Sequence, residues 1–314
     1  MKLVYVTGCL GFIGSYVTKA CLDRGWYVRG IDKVTYAADI KLLELFGGYK
    51  NFSFEKLDIN NIESIFDCDY FINCAAESHV DNSIVNTDAF MHSNVDGVYH
   101  ILEVIKNKSH FKMPIFIHFS SDEVYGDTKI EKYTECSRLN PSNPYSASKA
   151  AGDMLITAWS RTFNIPYVIV RPSNNYGIGQ YVEKLIPKAC KFLSLGRKIP
   201  LHLNGTPRRT WLHAADTAEA IITIIEHNKV NEIYNISGDY EDSNINVVNK
   251  ILKVFYNDDK DHSDMLDLDY KRPGADIRYL IDDSKIRELG WKPVCEFDDE
   301  IFGIVEYHKE NFIW

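Results

Sequence analysis

Residues 7–14 read TGCLGFIG. A short apolar run, Leu3–Val6, leads straight into three glycines spaced three apart, Gly8, Gly11 and Gly14, and a helical pattern over Phe12 to Asp23 overlaps them. Few folds use a strand that turns so tightly into a helix. Glycine lets the backbone turn sharply and come close to a pyrophosphate, while the helix N-terminus offers N–H donors to it. The spacing is GxxGxxG rather than GxGxxG. In isolation such a triplet marks only a tight turn; between a first strand and a first helix it points to a dinucleotide.

The chain beyond repeats this alternation. Apolar runs at Tyr27–Ile31, Phe52–Leu57, Tyr70–Cys74, Pro114–Phe119 and Tyr167–Val170 are separated mostly by helical stretches, which implies βαβ units and a parallel sheet covered on both faces. From about Ser173 the elements shorten and Pro, Gly and Asn become frequent. The expected fold is α/β: a Rossmann-type doubly wound parallel sheet over residues 1–172, with a returning segment near 211–227, and a smaller C-terminal substrate-binding domain over 173–314. Two helices, Asn86–Lys106 and Tyr145–Phe163, carry apolar residues around much of their girth. One side of each can face the sheet; the other calls for the second domain or a second subunit.

Composition narrows the class further. The 314 residues carry a net charge of −9, which argues against nucleic acid as a partner. Seven cysteines, an odd number without CxxC spacing, fit neither a disulfide framework nor a metal site. No apolar stretch reaches the length of a membrane span, and the first strand begins at Lys2, leaving no room for a signal peptide. A soluble cytoplasmic protein with free thiols, no metal and no membrane contact is expected.

Four further groups carry chemistry. Asp32 ends the second strand, where an acid meets an adenosine ribose and repels a 2′-phosphate, so NAD is favoured over NADP; the adjacent Lys33 weakens that preference. Asp58, after the third strand, suits either the adenine amino group or the N-cap of a helix over 60–66. Tyr145 and Lys149 form YxxxK, one helical turn apart on one face, where an ammonium lowers a phenol's pKa and favours tyrosinate as a base. Finally, Ser120-Ser121-Asp122-Glu123 follows the fifth strand. Neighbours on a strand point to opposite faces, so both acids reach one site only where the strand has ended. That end of a parallel sheet is where ligands bind.

Together these stretches resemble the extended short-chain dehydrogenase/reductase superfamily, and within it the nucleotide-sugar 4,6-dehydratases, most of all those acting on dTDP-glucose. The resemblance runs nearly the whole length, through TGCLGFIG, DKVTYA at 32–37, AAESHVDNSI at 75–84, SSDEVYG at 120–126, NPSNPYSASKA at 140–150, SNNYG at 173–177, EKLIP at 183–187 and RPGAD at 272–276. It implies an NDP-glucose substrate and catalytic roles for Ser121, Asp122, Glu123, Tyr145 and Lys149. Tyr145 takes the 4-OH proton as C4 gives hydride to NAD, Glu123 removes the C5 proton, Asp122 protonates the departing C6 hydroxyl, and the hydride returns to C6. The implied NAD contacts are Gly8, Gly11, Phe12, Ile13, Gly14, Asp32, Lys33, Thr35, Asp58, Ile59, Ala75, Ala76, Ser93 and Asn175, with Tyr145 and Lys149. The implied substrate contacts are Ser78, His79, Ser121, Asn174, Glu183, Lys184, Leu185, Arg209, Asn244 and Arg272.

The departures are Ser121 where the family usually has Thr, RRTWLHAAD at 208–216, and Ala275 where His is common. NEIYNIS at 231–237 also resembles the UDP-glucose dehydratases of plant rhamnose synthesis. Thymine and uracil therefore both remain open, in a deoxysugar pathway of the rhamnose type. A UDP-hexose 4-epimerase shares the glycine turn and YxxxK but has no need of the acid pair, and a non-catalytic NAD-binding module has no need of Tyr145 and Lys149. The two apolar-girthed helices and the resemblance both point to a homodimer.

Overall fold

The computed structural model describes residues 1–107, 112–271 and 276–311. Seven parallel strands form the main sheet: β1 (Leu3–Thr7), β2 (Tyr27–Asp32), β3 (Phe52–Lys56), β4 (Tyr70–Asn73), β5 (Ile115–Phe119), β6 (Tyr167–Pro172) and β10 (Glu232–Ile236), in the order β10-β6-β5-β4-β1-β2-β3. Strand order reverses between β1 and β4, and a crevice opens there at the carboxyl ends of the strands. The alternation of side chains decides the two cores. Val4 and Val6 face helices Phe12–Asp23 and Ala214–Glu226, whereas Tyr5 faces Gly97–Lys106 and Pro144–Phe163. Strands covered on both faces have little room for polar residues, and β4, YFIN, is buried throughout.

The smaller body holds β7 (Asn174–Tyr176), β9 (Arg208–His213) and β11 (Tyr240–Ser243), ordered β11-β9-β7, and the short pair β8 (Ile199–Pro200) and β12 (Leu266–Asp267). Helices Leu185–Ser194, Asn244–Tyr256 and Phe297–Glu310 close over its core. The returning segment is longer than 211–227. The return to the main sheet runs past His227, because β10 pairs with β6 through Ile236.

Helix Pro144–Phe163 begins where its sequence dictates. Asn143 accepts from the Ser146 N–H, the Ser146 hydroxyl accepts from the Asn143 N–H, and Pro144 takes the first position, where no N–H is needed. The other long helix differs from expectation. Thr87–Met91 is α-helical, His92–Asp96 is a π turn, and Gly97–Lys106 is α-helical again. Residues 60–66 do not form the expected helix, since only the 3-10 turn Ile59–Asn61 follows β3.

Candidate active site

The glycine turn is built so that only glycine fits. Gly8 has φ +67°, and a Cβ on it would lie 2.8 Å from the Ala75 nitrogen across the crevice; one on Gly14 would lie 2.0 Å from the Gly8 carbonyl. Helix Phe12–Asp23 then starts at Gly11 with no side-chain cap, leaving its N-terminal donors facing the crevice. Beside this cradle lies a hollow of about 610 Å³, partly open to solvent, lined by Gly8, Gly11, Asp32, Lys33, Thr35, Asp58, Ile59, Ala75, Ala76 and Ser93, along with Glu77. Asp32 accepts from the N–H groups of Leu10 at 3.1 Å and Val34 at 2.7 Å, which aims it at the hollow. Lys33 reaches the Ser93 hydroxyl at 3.2 Å and lies 3.8 Å from Asp58. Asp58 caps the short 3-10 turn through the Asn60 N–H, in place of the expected helix, and also lines the hollow. A cradle that any Cβ would fill, ending at an acid, fits the pyrophosphate and ribose of NAD.

A larger cleft of about 1960 Å³, open to solvent, continues from the cradle past Phe12, Ile13 and Gly14. It is lined by Ser78, His79, Ser121, Asp122, Glu123, Tyr145, Lys149, Asn174, Asn175, Glu183, Lys184, Leu185, Arg209 and Asn244. Arg272 lies outside the described residues. Asn175 is committed internally: it accepts from the Thr217 hydroxyl at 2.7 Å and donates to the Ser173 carbonyl at 2.9 Å.

β5 ends at Phe119, and Asp122–Tyr125 is a single 3-10 turn capped by Ser121, whose hydroxyl accepts from the Glu123 N–H at 3.2 Å. This turn takes both acids off the strand and brings them to one wall of the cleft. Asp122 is buried, and burial followed by the neighbouring Glu123 pushes its carboxyl up to about 8, against a smaller pull from Arg209. Burial brings Lys149 down to about 8. Tyr145 departs from expectation. Burial and then Glu123 hold its phenol above the ordinary range, and the Ser121 hydrogen bond only partly offsets them. A low-polarity wall opposes any charge on the phenol, and the neighbouring Glu123 and Asp122 oppose a negative one further.

The rest of the wall is tied in place. Arg171 on β6 pairs with Asp153, one turn beyond Lys149, at 2.9 Å and donates to the Tyr125 phenol at 2.6 Å, and Tyr125 donates to Asn235 on β10 at 2.8 Å. Burial holds the His79 ring neutral, and Lys184 adds to the effect. Lys184 donates to the Ser78 carbonyl at 2.7 Å. Above the cradle, Tyr36 meets Tyr181 edge to face and donates to Glu183 at 3.3 Å, so the loop after β2 touches the smaller body.

Several lining residues escaped the sequence reading, among them Glu77, Gln180, His202, Trp211 and Tyr279. Glu77 lies inside the quoted stretch AAESH, so position was the missed signal. Tyr279 follows the acid pair by 156 residues, yet its phenol lies 3.1 Å from Glu123. Nothing local in the sequence marks that pairing.

Fold and site define a Rossmann-type dinucleotide enzyme of the short-chain dehydrogenase/reductase kind, with a carboxylic acid pair added to its Tyr-Lys helix. Residues 5–302 match the family described as GDP-mannose 4,6 dehydratase, and the chain belongs to that family. It is 38% identical to a dTDP-glucose 4,6-dehydratase of Haemophilus influenzae over 99% of both chains. It is 33% identical to DesIV, a dTDP-glucose 4,6-dehydratase from Streptomyces venezuelae solved with NAD bound, with a TM-score of 0.92 over 99% of this chain and 98% of that one. A trifunctional UDP-glucose 4,6-dehydratase of Arabidopsis thaliana is 33% identical to the whole chain, which matches 48% of that longer protein.

Proposed function

We propose that the chain converts dTDP-glucose to dTDP-4-keto-6-deoxy-glucose and water, with NAD held throughout turnover. The observation that carries this reading is the acid pair in one 3-10 turn, with Asp122 holding its proton up to about pH 8, on the same cleft wall as Tyr145 and Lys149. A 4-epimerase needs only the second pair.

The chain's own groups divide the work. Ser121 orients the sugar 4-OH and Tyr145 accepts its proton, with the Lys149 ammonium one turn away favouring the phenolate. Bound NAD supplies a hydride acceptor, later a hydride donor, and a positive ring that further favours the phenolate. Glu123 takes the C5 proton, made acidic by the 4-keto group. Asp122, kept protonated by burial, gives its proton to the C6 oxygen as that C–O bond breaks. Arg209, Lys184 and Asn244 hold the nucleotide diphosphate. The protein acts as a homodimer in a reducing, cytoplasmic setting, where its free cysteines persist. Met91, Tyr99, Met154 and Phe163 stand exposed on the two helices expected at the interface. Among the described residues no helix is long and apolar enough to cross a membrane.

The test is product analysis with dTDP-glucose and UDP-glucose side by side. A 4-keto-6-deoxy sugar, absorbing in alkali, is expected from dTDP-glucose at the higher kcat/KM. A preference for UDP-glucose moves the nucleotide assignment, and a C4-epimer with no keto product overturns the reaction.

A further inference from the structure

Asp276 lies behind the cleft wall rather than in it. Its carboxylate meets the phenol of Tyr279 and the hydroxyl of Ser142, both at its Oδ2. The same phenol lies 3.1 Å from Oε2 of Glu123, and Asn143 approaches that oxygen at 3.4 Å. Asp276 and Tyr279 are both buried. Their segment is fastened to the stretch that follows the acid pair. Asp127 accepts from the N–H groups of Ile277 and Arg278, the Tyr133 N–H donates to the Leu280 carbonyl, and Arg209 bonds the Asp276 carbonyl at 3.1 Å with its guanidinium over the Tyr279 ring.

A phenol has one proton, and here two carboxylates compete for it. When the phenol donates to one, its lone pairs face the other, and that second contact holds only if the second carboxylate brings a proton of its own. The arrangement therefore suits an acid that changes protonation state. We propose that Asp276 is a positioning residue for Glu123, acting as the second acceptor to which Tyr279 turns when Glu123 gains a proton. Before the step the phenol donates to the Glu123 carboxylate, and Asp276 is held by the Ser142 hydroxyl. In the step the C5–H bond breaks, its electron pair stays on the substrate as the enolate, and the proton bonds to Glu123. Glu123 then donates to the phenol oxygen, and the phenol proton turns to Asp276. No proton leaves the trio in this step; the proton on Glu123 then exchanges with solvent. The hydrogen bond to Glu123 thus survives the change of charge, and the carboxyl stays aimed at C5 for the proton's return.

This inference rests on the dehydratase reading and is tested in single turnovers with dTDP-glucose in D2O, following bound NADH absorbance and deuterium at C5 of recovered sugar. Wild-type protein that forms neither NADH nor keto sugar refutes the reading itself. Given wild-type turnover, Asp276→Ala is expected to form NADH at the wild-type rate while C5 exchange falls about 10–100-fold, the rate equivalent of one hydrogen bond to a charged group. Tyr279→Phe is expected to match it, and the double variant to be no slower than the worse single one. Asp276→Asn keeps an acceptor for the phenol and should restore exchange to within a few-fold of wild type. Wild-type exchange in Asp276→Ala overturns the proposal. So does a loss in Asp276→Asn as deep as in Asp276→Ala, or NADH formation that falls in step with exchange. Should Asp276→Ala fail to fold, Tyr279→Phe decides alone, since it leaves both carboxylates and removes the relay; wild-type exchange there overturns the proposal.

Discussion

Replacing Asp122 by Asn should make the protein more stable and less active at once. The carboxyl ionises near its ordinary 3.8 in the unfolded chain and at about 8 in the folded one. Below pH 3.8 both states keep the proton and the residue is neutral to stability. Between 3.8 and 8 the unfolded chain releases a proton that the folded chain retains, so stability falls by about 1.36 kcal/mol per pH unit. Above pH 8 the loss is complete, at roughly 6 kcal/mol. An amide never ionises, so Asp122→Asn escapes this penalty. Urea unfolding of both proteins from pH 4 to 9 reads the difference. The variant's advantage should grow with pH, be small at pH 4 and flatten near 8, with unchanged m-values. Meanwhile C5 exchange should persist, and loss of the C6 oxygen should slow by about 10²–10⁴-fold, the usual worth of one positioned proton transfer. An advantage that does not vary with pH, or a variant less stable than wild type at pH 8, would refute the reasoning.

Three further outcomes follow from other parts of the molecule. Gly14→Ala drives a Cβ to 2.0 Å from the Gly8 carbonyl, so purified protein should carry little bound NAD by absorbance; full cofactor content would show that the turn relaxes. Arg171→Met strands the buried Asp153, which should lower stability by about 3–5 kcal/mol in the same urea assay, and a change under 1 kcal/mol would mean that water replaces the guanidinium. Met154→Asp and Tyr99→Asp place charge on the exposed stripe and should shift the mass toward monomer in light scattering. Val98 is unsuited to that test because it is buried within its own chain.

Sequence patterns carry local geometry well and distant geometry poorly, and this chain shows where the line falls. The glycine turn, the acid at the end of β2 and the YxxxK helix each lie within one element and its cap, so short-range spacing encodes them. The acid pair was readable because it follows an apolar strand that had to end. Tyr279 and Asp276 could not be read this way. Their place is set by segment 276–282 lying against residues 127–133 through backbone hydrogen bonds, and such bonds leave no trace in residue type. The Tyr145 phenol shifts against the YxxxK spacing for a related reason: spacing reveals the lysine, while the burial that raises the phenol comes from the whole fold.

The π turn at His92–Asp96 acts as a phase slip. An α-helix advances 100° per residue, so positions seven apart share a face. Met91 and Val98 are seven apart, yet Met91 is 48% exposed and Val98 is 0% exposed, whereas Phe90, eight before Val98, is 2% exposed. One extra residue has been wound into the turn, and everything upstream is rotated by about 100°. The slip falls at Ser93 and Asn94. Ser93 opens onto the hollow lined by Asp32, and Asn94 bonds the Glu77 backbone and the Ser148 hydroxyl. Two rods thus share one axis with different angular settings. The downstream rod is set for the sheet, the upstream rod for helix Pro144–Phe163, and Ser93 at their junction lines the hollow beside the glycine turn.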